Sequence, residues 1–375
     1  MDSVKFGIIG LGGAWAFHSA GTRNIKKIKF ISCYDINEKT AKRTARNYKL
    51  EYYSDLHKFL KSDIDAVLIM VPHYLHEDIV VDAAEAEKHI LCEKPMATTL
   101  EGCDQMINAT QKAGVKFMIA ENHRFLPAHK YIMEAVQKGL IGNVSMIRSY
   151  EGVNEIPGLM REGFWKGHPI MAGGGSLMDM GAHKFATMNW ILNDEVEMAY
   201  SWITKQCTTL KEKAEDNAMM FLKFRKGAVA DVVVSFVVRT TPTNQIEVYG
   251  TKGTILEDHS WEKPVKIFSS CKEMGENKNK WHEPVIEHSP FPKYYEISSR
   301  IEDEYFADCI LQDKKPEFTP EHAKEAIFTV LMGYLSAKRG ITVTRDDLMT
   351  VYRKEGTRSI LDGLENYVQN NFCGD

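Results

Sequence analysis

The 375-residue sequence holds seven cysteines, Cys33, Cys92, Cys103, Cys207, Cys271, Cys309 and Cys373, and no two of them form a Cys-x-x-Cys pair. An odd, scattered set, several of them inside apolar runs, argues against a disulfide framework and a cysteine zinc site, and fits a reducing cytoplasm. Also missing is any apolar run of the roughly 18 residues that a membrane span needs. A strand-like pattern begins by Val4, which leaves no room for a signal peptide or twin-arginine leader. Neither sign of charge dominates: 47 Lys and Arg face 51 Asp and Glu, for a formal charge of −4. That excludes the basic footprint of a nucleic-acid binder. The densest basic cluster, Arg23 to Lys29, is short and reads as a solvated loop or strand entry. No internal repeat is visible. What remains is an ordinary globular composition, 44% hydrophobic and 26% charged, in a chain long enough for two domains.

The first third alternates two periodicities. The short apolar runs VKFGIIG, IKFISCYD, AVLIMVP, HILCEKP and VKFMIAE read as buried strands, several closed by glycine or proline. Between them, INEKTAKRTARNY, HEDIVVDAAEAE and TTLEGCDQMINATQKAG have helical spacing or composition; the last opens with a Thr98–Glu101 capping box and closes at Gly114. Such alternation predicts an α/β domain, a doubly wound parallel sheet over residues 1–121, with ligands bound at the carboxyl ends of its strands. Beyond Glu121 the strands lengthen and follow one another with turns between them: MIRSYEG, EMAYSWITKQC, NAMMFLKF, VADVVVSFVV and NQIEVYG. Residues 122–375 are therefore expected to form an α+β domain on a large, mostly antiparallel open sheet. CKEMGENKNK reads as a surface loop, and PEHAKEAIFTVLMGYLSAKRG as an amphipathic helix.

The first strand runs into Gly10-Leu11-Gly12-Gly13-Ala14-Trp15. Glycines here permit a tight turn and close backbone approach to a pyrophosphate at the following helix N-terminus. Gly10 and Gly12 fit the dinucleotide fingerprint, whereas Trp15 stands at its third glycine. Asp35 ends the second strand at the spacing expected of the carboxylate that accepts hydrogen bonds from the adenosine ribose. It would repel a 2′-phosphate and so favours NAD over NADP. Its structural alternative is a helix cap, a role for which Asn37 competes. Pro72 and His76 end one later strand, and Glu93-Lys94-Pro95 ends another, placing an ammonium at the ligand-binding edge where it can stabilise charge on a substrate oxygen. In the second domain AGGGSLMDMGAHKF sets Asp179 and His183 four residues apart, on one face of a helix. A carboxylate beside an imidazole fixes its tautomer and raises its basicity. The preceding glycines would let backbone approach a ligand closely. Zinc takes three or four protein ligands, so this pair alone predicts no metal.

These motifs resemble the Gfo/Idh/MocA family (glucose–fructose oxidoreductase, inositol dehydrogenase and relatives). The resemblance rests on GIIGLGGAWAFH at 7–18, VPHYLH at 71–76, EKP at 93–95, ENHRF at 121–125, FWKGHP at 164–169, GGGSLMDMGAH at 173–183 and GTKGTI at 250–255, in order over about two thirds of the chain. It implies a Rossmann domain and NAD-dependent oxidation or reduction of a secondary hydroxyl or ketone on a sugar, glycoside or inositol-like cyclitol. By the same resemblance Lys94 lies beside the nicotinamide and the reacting hydroxyl, His183 is the acid/base, and Asp179 is its substrate-binding partner. Gly10 to Trp15, Asp35, Pro72, His76, Glu93 and Lys94 would bind cofactor. Asn122, Arg124, Trp165, His168, Asp179 and His183 would bind substrate. A cis peptide often precedes the EKP proline, and many members are homodimers or homotetramers through the open sheet face. The chain departs from the pattern at Trp15, His73, Lys166 and Ala186. Trp15 either reshapes the pyrophosphate turn or presses its indole on the cofactor. Two rival readings on the same fold are glycoside cleavage through transient C3 oxidation and a non-catalytic nucleotide sensor.

Overall fold

The computed structural model describes residues 2–22, 25–205, 213–364, 367 and 368. Cys207, Cys373 and Arg23 lie outside the described residues. By contacts the chain divides into two compact units, residues 1–125 with 295–324, and residues 126–294 with 325–375.

The first unit is built on six strands: β1 (Val4–Ile9), β2 (Ile28–Tyr34), β3 (Glu51–Tyr53), β4 (Ala66–Ile69), β5 (His89–Glu93) and β6 (Phe117–Ala120). They lie in the order β3-β2-β1-β4-β5-β6, every pair parallel. The strands β1, β4 and β6 are buried almost end to end, as a sheet covered on both faces requires. Only β3 escaped the sequence reading; three residues on an edge are too short to show a period. Helices follow the strands at Gly13–Thr22, Glu38–Tyr48, His76–Glu85 and Leu100–Ala113. Asn37 caps the second of these through Thr40 N. The fourth is capped by Thr99, whose Oγ1 accepts from Gly102 N, one residue later than the Thr98 box predicted. Gly102 carries no side chain to reach back, because the Glu77 carboxylate occupies the space its Cβ would need. Part of the core comes from the far end of the sequence. Within the helix Lys293–Leu311, Phe306 and Ala307 are fully buried in the β1–β2 core, with Phe306 6.4 Å from the Phe6 ring.

The second unit carries nine strands: β7 (Val144–Gly152), β8 (Val196–Thr204), β9 (Asn217–Phe224), β10 (Val229–Ser235), β11 (Thr243–Gly250), β12 (Gly253–Asp258), β13 (Val265–Ser269), β14 (Trp281–His282) and β15 (Val343–Thr344). Their order is β14-β13-β12-β11-β7-β10-β9-β8-β15. All pairs are antiparallel except β7 with β10, which run parallel at the centre. Strand β9 alternates without a break: Ala218, Met220, Leu222 and Phe224 are buried, while Met219 and Phe221 are exposed. The buried side packs on helices. Gly333, in the helix Pro320–Arg339, lies so close to β9 that an added Cβ would press on Met220. The other side shows Trp202, Met219 and Phe221 to solvent, the Trp202 and Phe221 rings 5.9 Å apart.

Candidate functional site

The turn after β1 has the geometry that its glycines predict. Gly10 sits at φ +86°, and a Cβ there would overlap the Met70 carbonyl at the end of β4. At Gly12 and Gly13 a Cβ would meet nothing within 4 Å, so the backbone that opens the helix Gly13–Thr22 is unobstructed. Asp35 ties this turn to the end of β2: its Oδ2 accepts from Leu11 N at 2.9 Å and its Oδ1 from Asn37 N at 2.8 Å. Trp15 turns away from the surface. Its indole is buried edge-on against Phe30 and Tyr48, with centroids at 5.1 and 5.2 Å. The expectation of an indole pressed on a cofactor is thus overturned: a large apolar ring beside the β2 core gains more by burial there. Ala14, next to it, packs against the same core.

The ends of β4 and β5 are locked together. Pro72 caps a short 3-10 turn, and His76 is fully buried with Nδ1 2.8 Å from Pro95 O and Nε2 3.0 Å from Val71 O. Whichever nitrogen carries the proton donates to one of these carbonyls, so His76 ties the two turns together; burial lowers its pKa. The Lys94–Pro95 peptide is cis. Lys94, half-buried, follows Glu93, whose Oε2 accepts the Lys94 N–H at 3.1 Å. The other Glu93 oxygen lies 3.2 Å from Nε2 of His18, and His18 Nδ1 meets Asp303 at 2.9 Å. Burial works against charge on His18, but Asp303 and Glu93 outweigh it and raise its pKa well above the ordinary imidazole value. Neither His18 nor Asp303 was singled out in the sequence; their 285-residue separation leaves no local signal.

Residues 122–125 form a 3-10 turn after β6. Asn122 donates to Ser298 Oγ at 3.2 Å, His123 stacks on Tyr295, and the Arg124 guanidinium lies 4.6 Å from the centre of the Phe318 ring. All three side chains meet the returning segment 295–324, the expected substrate residues Asn122 and Arg124 among them.

In the second unit the opening motif forms a π-turn, Leu177–Gly181, that runs into the helix Ala182–Leu192. Such wide turns recur at functional sites. Asp179 and His183 are both 5% exposed. The Asp179 carboxylate is held by Lys166, whose Nζ lies 3.0 Å from its Oδ2 and 3.2 Å from Glu155 Oε1. Burial opposes the charge on Lys166, and the two carboxylates more than offset this, raising its pKa. Trp165 is half-buried with this ammonium 6.0 Å from its ring centre, and His168 keeps a buried Nδ1 without a hydrogen-bond partner.

The glycine run lets backbone approach closely, but what it approaches is protein. A Cβ on Gly174 (φ +131°) would overlap the Tyr334 hydroxyl, and one on Gly175 would overlap the Glu215 carbonyl. Tyr334 donates to Glu215 Oε1 at 2.8 Å and accepts from Gly175 N and Met178 N, both at 3.2 Å. Leu177 N donates to the same Glu215 oxygen at 3.0 Å. The glycines exist so that this buried pair can hold the backbone of the π-turn. Nothing local in KAEDN or MGYLS announces that pairing.

A family model described as "Oxidoreductase family, NAD-binding Rossmann fold" matches residues 4–121, and one described as "GFO/IDH/MocA C-terminal domain" matches residues 129–256. The uncharacterized oxidoreductase YrbE of Bacillus subtilis (strain 168) is 30% identical over 270 residues, 70% of this chain and 76% of that protein. The myo-inositol 2-dehydrogenase of Thermotoga maritima is 27% identical over 339 residues, 89% of this chain and 96% of the relative. Among solved structures, a levoglucosan dehydrogenase in complex with NADH and levoglucosan superposes with a TM-score of 0.82 at 21% identity, over 91% of this chain and 99% of that one, and so shares the fold. From its glycine turn to its Asp179–His183 helix, the chain belongs to the GFO/IDH/MocA oxidoreductase family, with an NAD-binding Rossmann domain at its N-terminus.

Proposed function

We propose that the chain is an NAD-dependent dehydrogenase or reductase acting on a secondary hydroxyl or ketone of a sugar, glycoside or cyclitol. The observation that carries the reading is the carboxyl edge of the first sheet. An open glycine turn fixed by Asp35 and the Glu93–Lys94 turn stand at the ends of β1, β2 and β5 of the same sheet. The unobstructed N–H groups at Gly12 and Gly13 fit a pyrophosphate, and the Asp35 carboxylate fits an unphosphorylated ribose. A bound nicotinamide would supply the site that gives or takes hydride. The named activity of the Thermotoga maritima relative, inositol 2-oxidation, supports the substrate class.

The chain's own groups then manage charge and protons. A secondary hydroxyl ionises far above neutral pH, so its oxidation needs a base; an imidazole both takes and gives protons, which suits His183 to accept the proton in oxidation and return it in reduction. Lys94 donates a hydrogen bond to the substrate oxygen as negative charge grows on it. Asp179, held by Lys166, orients the substrate or the imidazole. The open sheet face around Trp202 and Phe221 is the contact of a homodimer or homotetramer, and Phe221→Lys should shift the chain to monomer in sedimentation. The buried free thiols at Cys33, Cys92, Cys103, Cys271 and Cys309 suit a cytoplasmic location. Among the described residues no helix is long and apolar enough to cross a membrane.

The test is a screen of NAD⁺ and NADP⁺ reduction against inositols, hexoses, glycosides and their phosphates, read by reduced-nicotinamide absorbance. Turnover of a polyol with NAD⁺, lowered about 10²–10⁴-fold in His183→Ala and in Lys94→Ala while NAD⁺ binding persists, is expected. Near-wild-type turnover in both variants would remove the assignment. Release of free sugar from a glycoside without net NADH would move it to cleavage chemistry.

A further inference from the structure

The second unit buries another histidine cluster that the proposed chemistry does not use. His129 lies on the helix Pro127–Gln137, Glu257 on β12, and His259 directly beyond that strand. Their exposures are 0%, 2% and 3%. Each offers a ligand atom, and these atoms all lie within 4.8 Å of one another. His129 Nε2 is 3.6 Å from Glu257 Oε2, and His259 Nδ1 is 2.5 Å from Glu257 Oε1. The two imidazoles stand perpendicular, 88° apart, with centroids at 5.2 Å.

Two details distinguish this cluster from a satisfied hydrogen-bond network. Both Glu257 oxygens are sealed from solvent and face the two imidazoles, His259 Nδ1 at 2.5 Å and His129 Nε2 at 3.6 Å. The His259 Nδ1 is within 3.3 Å of the Asn244 carbonyl, and its Nε2 is buried without a partner. A buried carboxylate is costly unless a cation, an imidazolium or a metal ion, stands beside it. The buried ammonium closest in sequence to the proposed acid/base, Lys184, is paired with Glu151 at 3.3 Å and with Asn244. A tetrahedral centre with bonds of about 2.0–2.2 Å separates its ligands by about 3.3 Å, and these three residues need only small shifts to reach that spacing. Two imidazoles with one carboxylate are a donor set of borderline softness, suited to zinc above calcium or magnesium.

We propose that His129, Glu257 and His259 form a structural site for a divalent transition metal of the zinc class. The site joins the first helix of the second unit to the β11–β12 hairpin. It is separate from the Asp179–His183 pair and does not depend on the proposed reaction.

The test uses the full chain, without a histidine tag, expressed in zinc-supplemented medium and gel-filtered. Elemental analysis should find about one zinc per chain. After the protein is stripped with a chelator, Co²⁺ alone should restore one equivalent with the visible d–d absorption of a four-coordinate N/O site, and Zn²⁺ should raise the thermal midpoint. Glu257→Gln preserves volume and His259→Asn keeps a polar group in a smaller side chain; each should lower Zn²⁺ affinity by about 100-fold or more. His18→Asn, in the first unit's own buried cluster, should leave that affinity unchanged. Less than roughly a tenth of an equivalent of zinc as isolated, together with no Co²⁺ spectrum, overturns the site. So does equal Zn²⁺ affinity in wild type, Glu257→Gln and His259→Asn. The cluster would then be held by a proton on one imidazole.

Discussion

Glu215 should make the second unit's stability depend on pH in the direction opposite to an ordinary surface carboxylate. Burial pushes its carboxyl up from 4.5 to about 7, against the hydrogen bonds from Tyr334 and from the backbone of Leu177. In the unfolded chain the same group ionises near 4.5. Between these values the folded state holds a proton that the unfolded state releases, so stability is fullest below 4.5 and declines as pH rises through 7. A difference of 2.5 units (7 − 4.5) corresponds to about 3 kcal/mol, reached as a plateau above neutrality. Glu215→Gln keeps the acceptor for Tyr334 and Leu177 but cannot ionise. Chemical denaturation of wild type and variant should be compared from pH 4.5 to 8.5, following the transition of the second unit. The free-energy gap between them should move by about 3 kcal/mol in favour of the variant as pH rises. Parallel profiles across that window would refute the reasoning, because Glu215 would then be ionised in both states throughout.

Three further outcomes follow from the same geometry. Gly174→Ala places a methyl on the Tyr334 hydroxyl at a φ that L-residues avoid, and should destabilise the second unit by about 2–4 kcal/mol in thermal or urea melts. Asp35→Ser removes the carboxylate that repels a 2′-phosphate and should raise the NADP⁺-to-NAD⁺ ratio of kcat/KM by about tenfold or more in steady-state kinetics. Lys166→Met leaves Asp179 and Glu155 facing each other without their cation. It should lower kcat/KM by about tenfold or more in steady-state kinetics, with Lys166→Arg restoring most of it.

Much of the fold was readable because periodicity is a property of neighbours. The run NAMMFLKF alternates so strictly that β9 occupies those eight residues and no others. The glycine turn and Asp35 were legible for the same reason: a motif about twenty-five residues long carries both ends of its own contact. The misreadings share one cause, which is that the deciding partner is remote. Trp15 is drawn inward by Phe30 and Tyr48, the glycine run is occupied by Tyr334 and Glu215, and Arg124 is met by Phe318. Lys166 is a departure from the family pattern, and its meaning lies in the two carboxylates it joins. The pairs Gly175–Tyr334 and Arg124–Phe318 lie too far apart for one window of sequence to hold both members, and the nearer ones, such as Lys166 with Glu155 and Asp179, carry no period that announces them.

The segment 295–324 has a further consequence, for how the molecule is made. A ribosome delivers all six strands of the first sheet before residue 121, yet Phe306, Ala307 and Asp303 are nearly two hundred residues behind. Until they emerge, the β1–β2 core lacks two of its buried side chains, and His18 lacks one of the two carboxylates that stabilise its charge. The nascent Rossmann sheet is therefore an unfinished intermediate throughout synthesis of the second unit, which itself is completed only by residues after 325. A fragment ending at 125 would carry every nucleotide-binding motif and still expose the apolar surface that Phe306 covers. Expression boundaries for this chain, and any exchange of its cofactor domain between relatives, have to follow that return of the polypeptide.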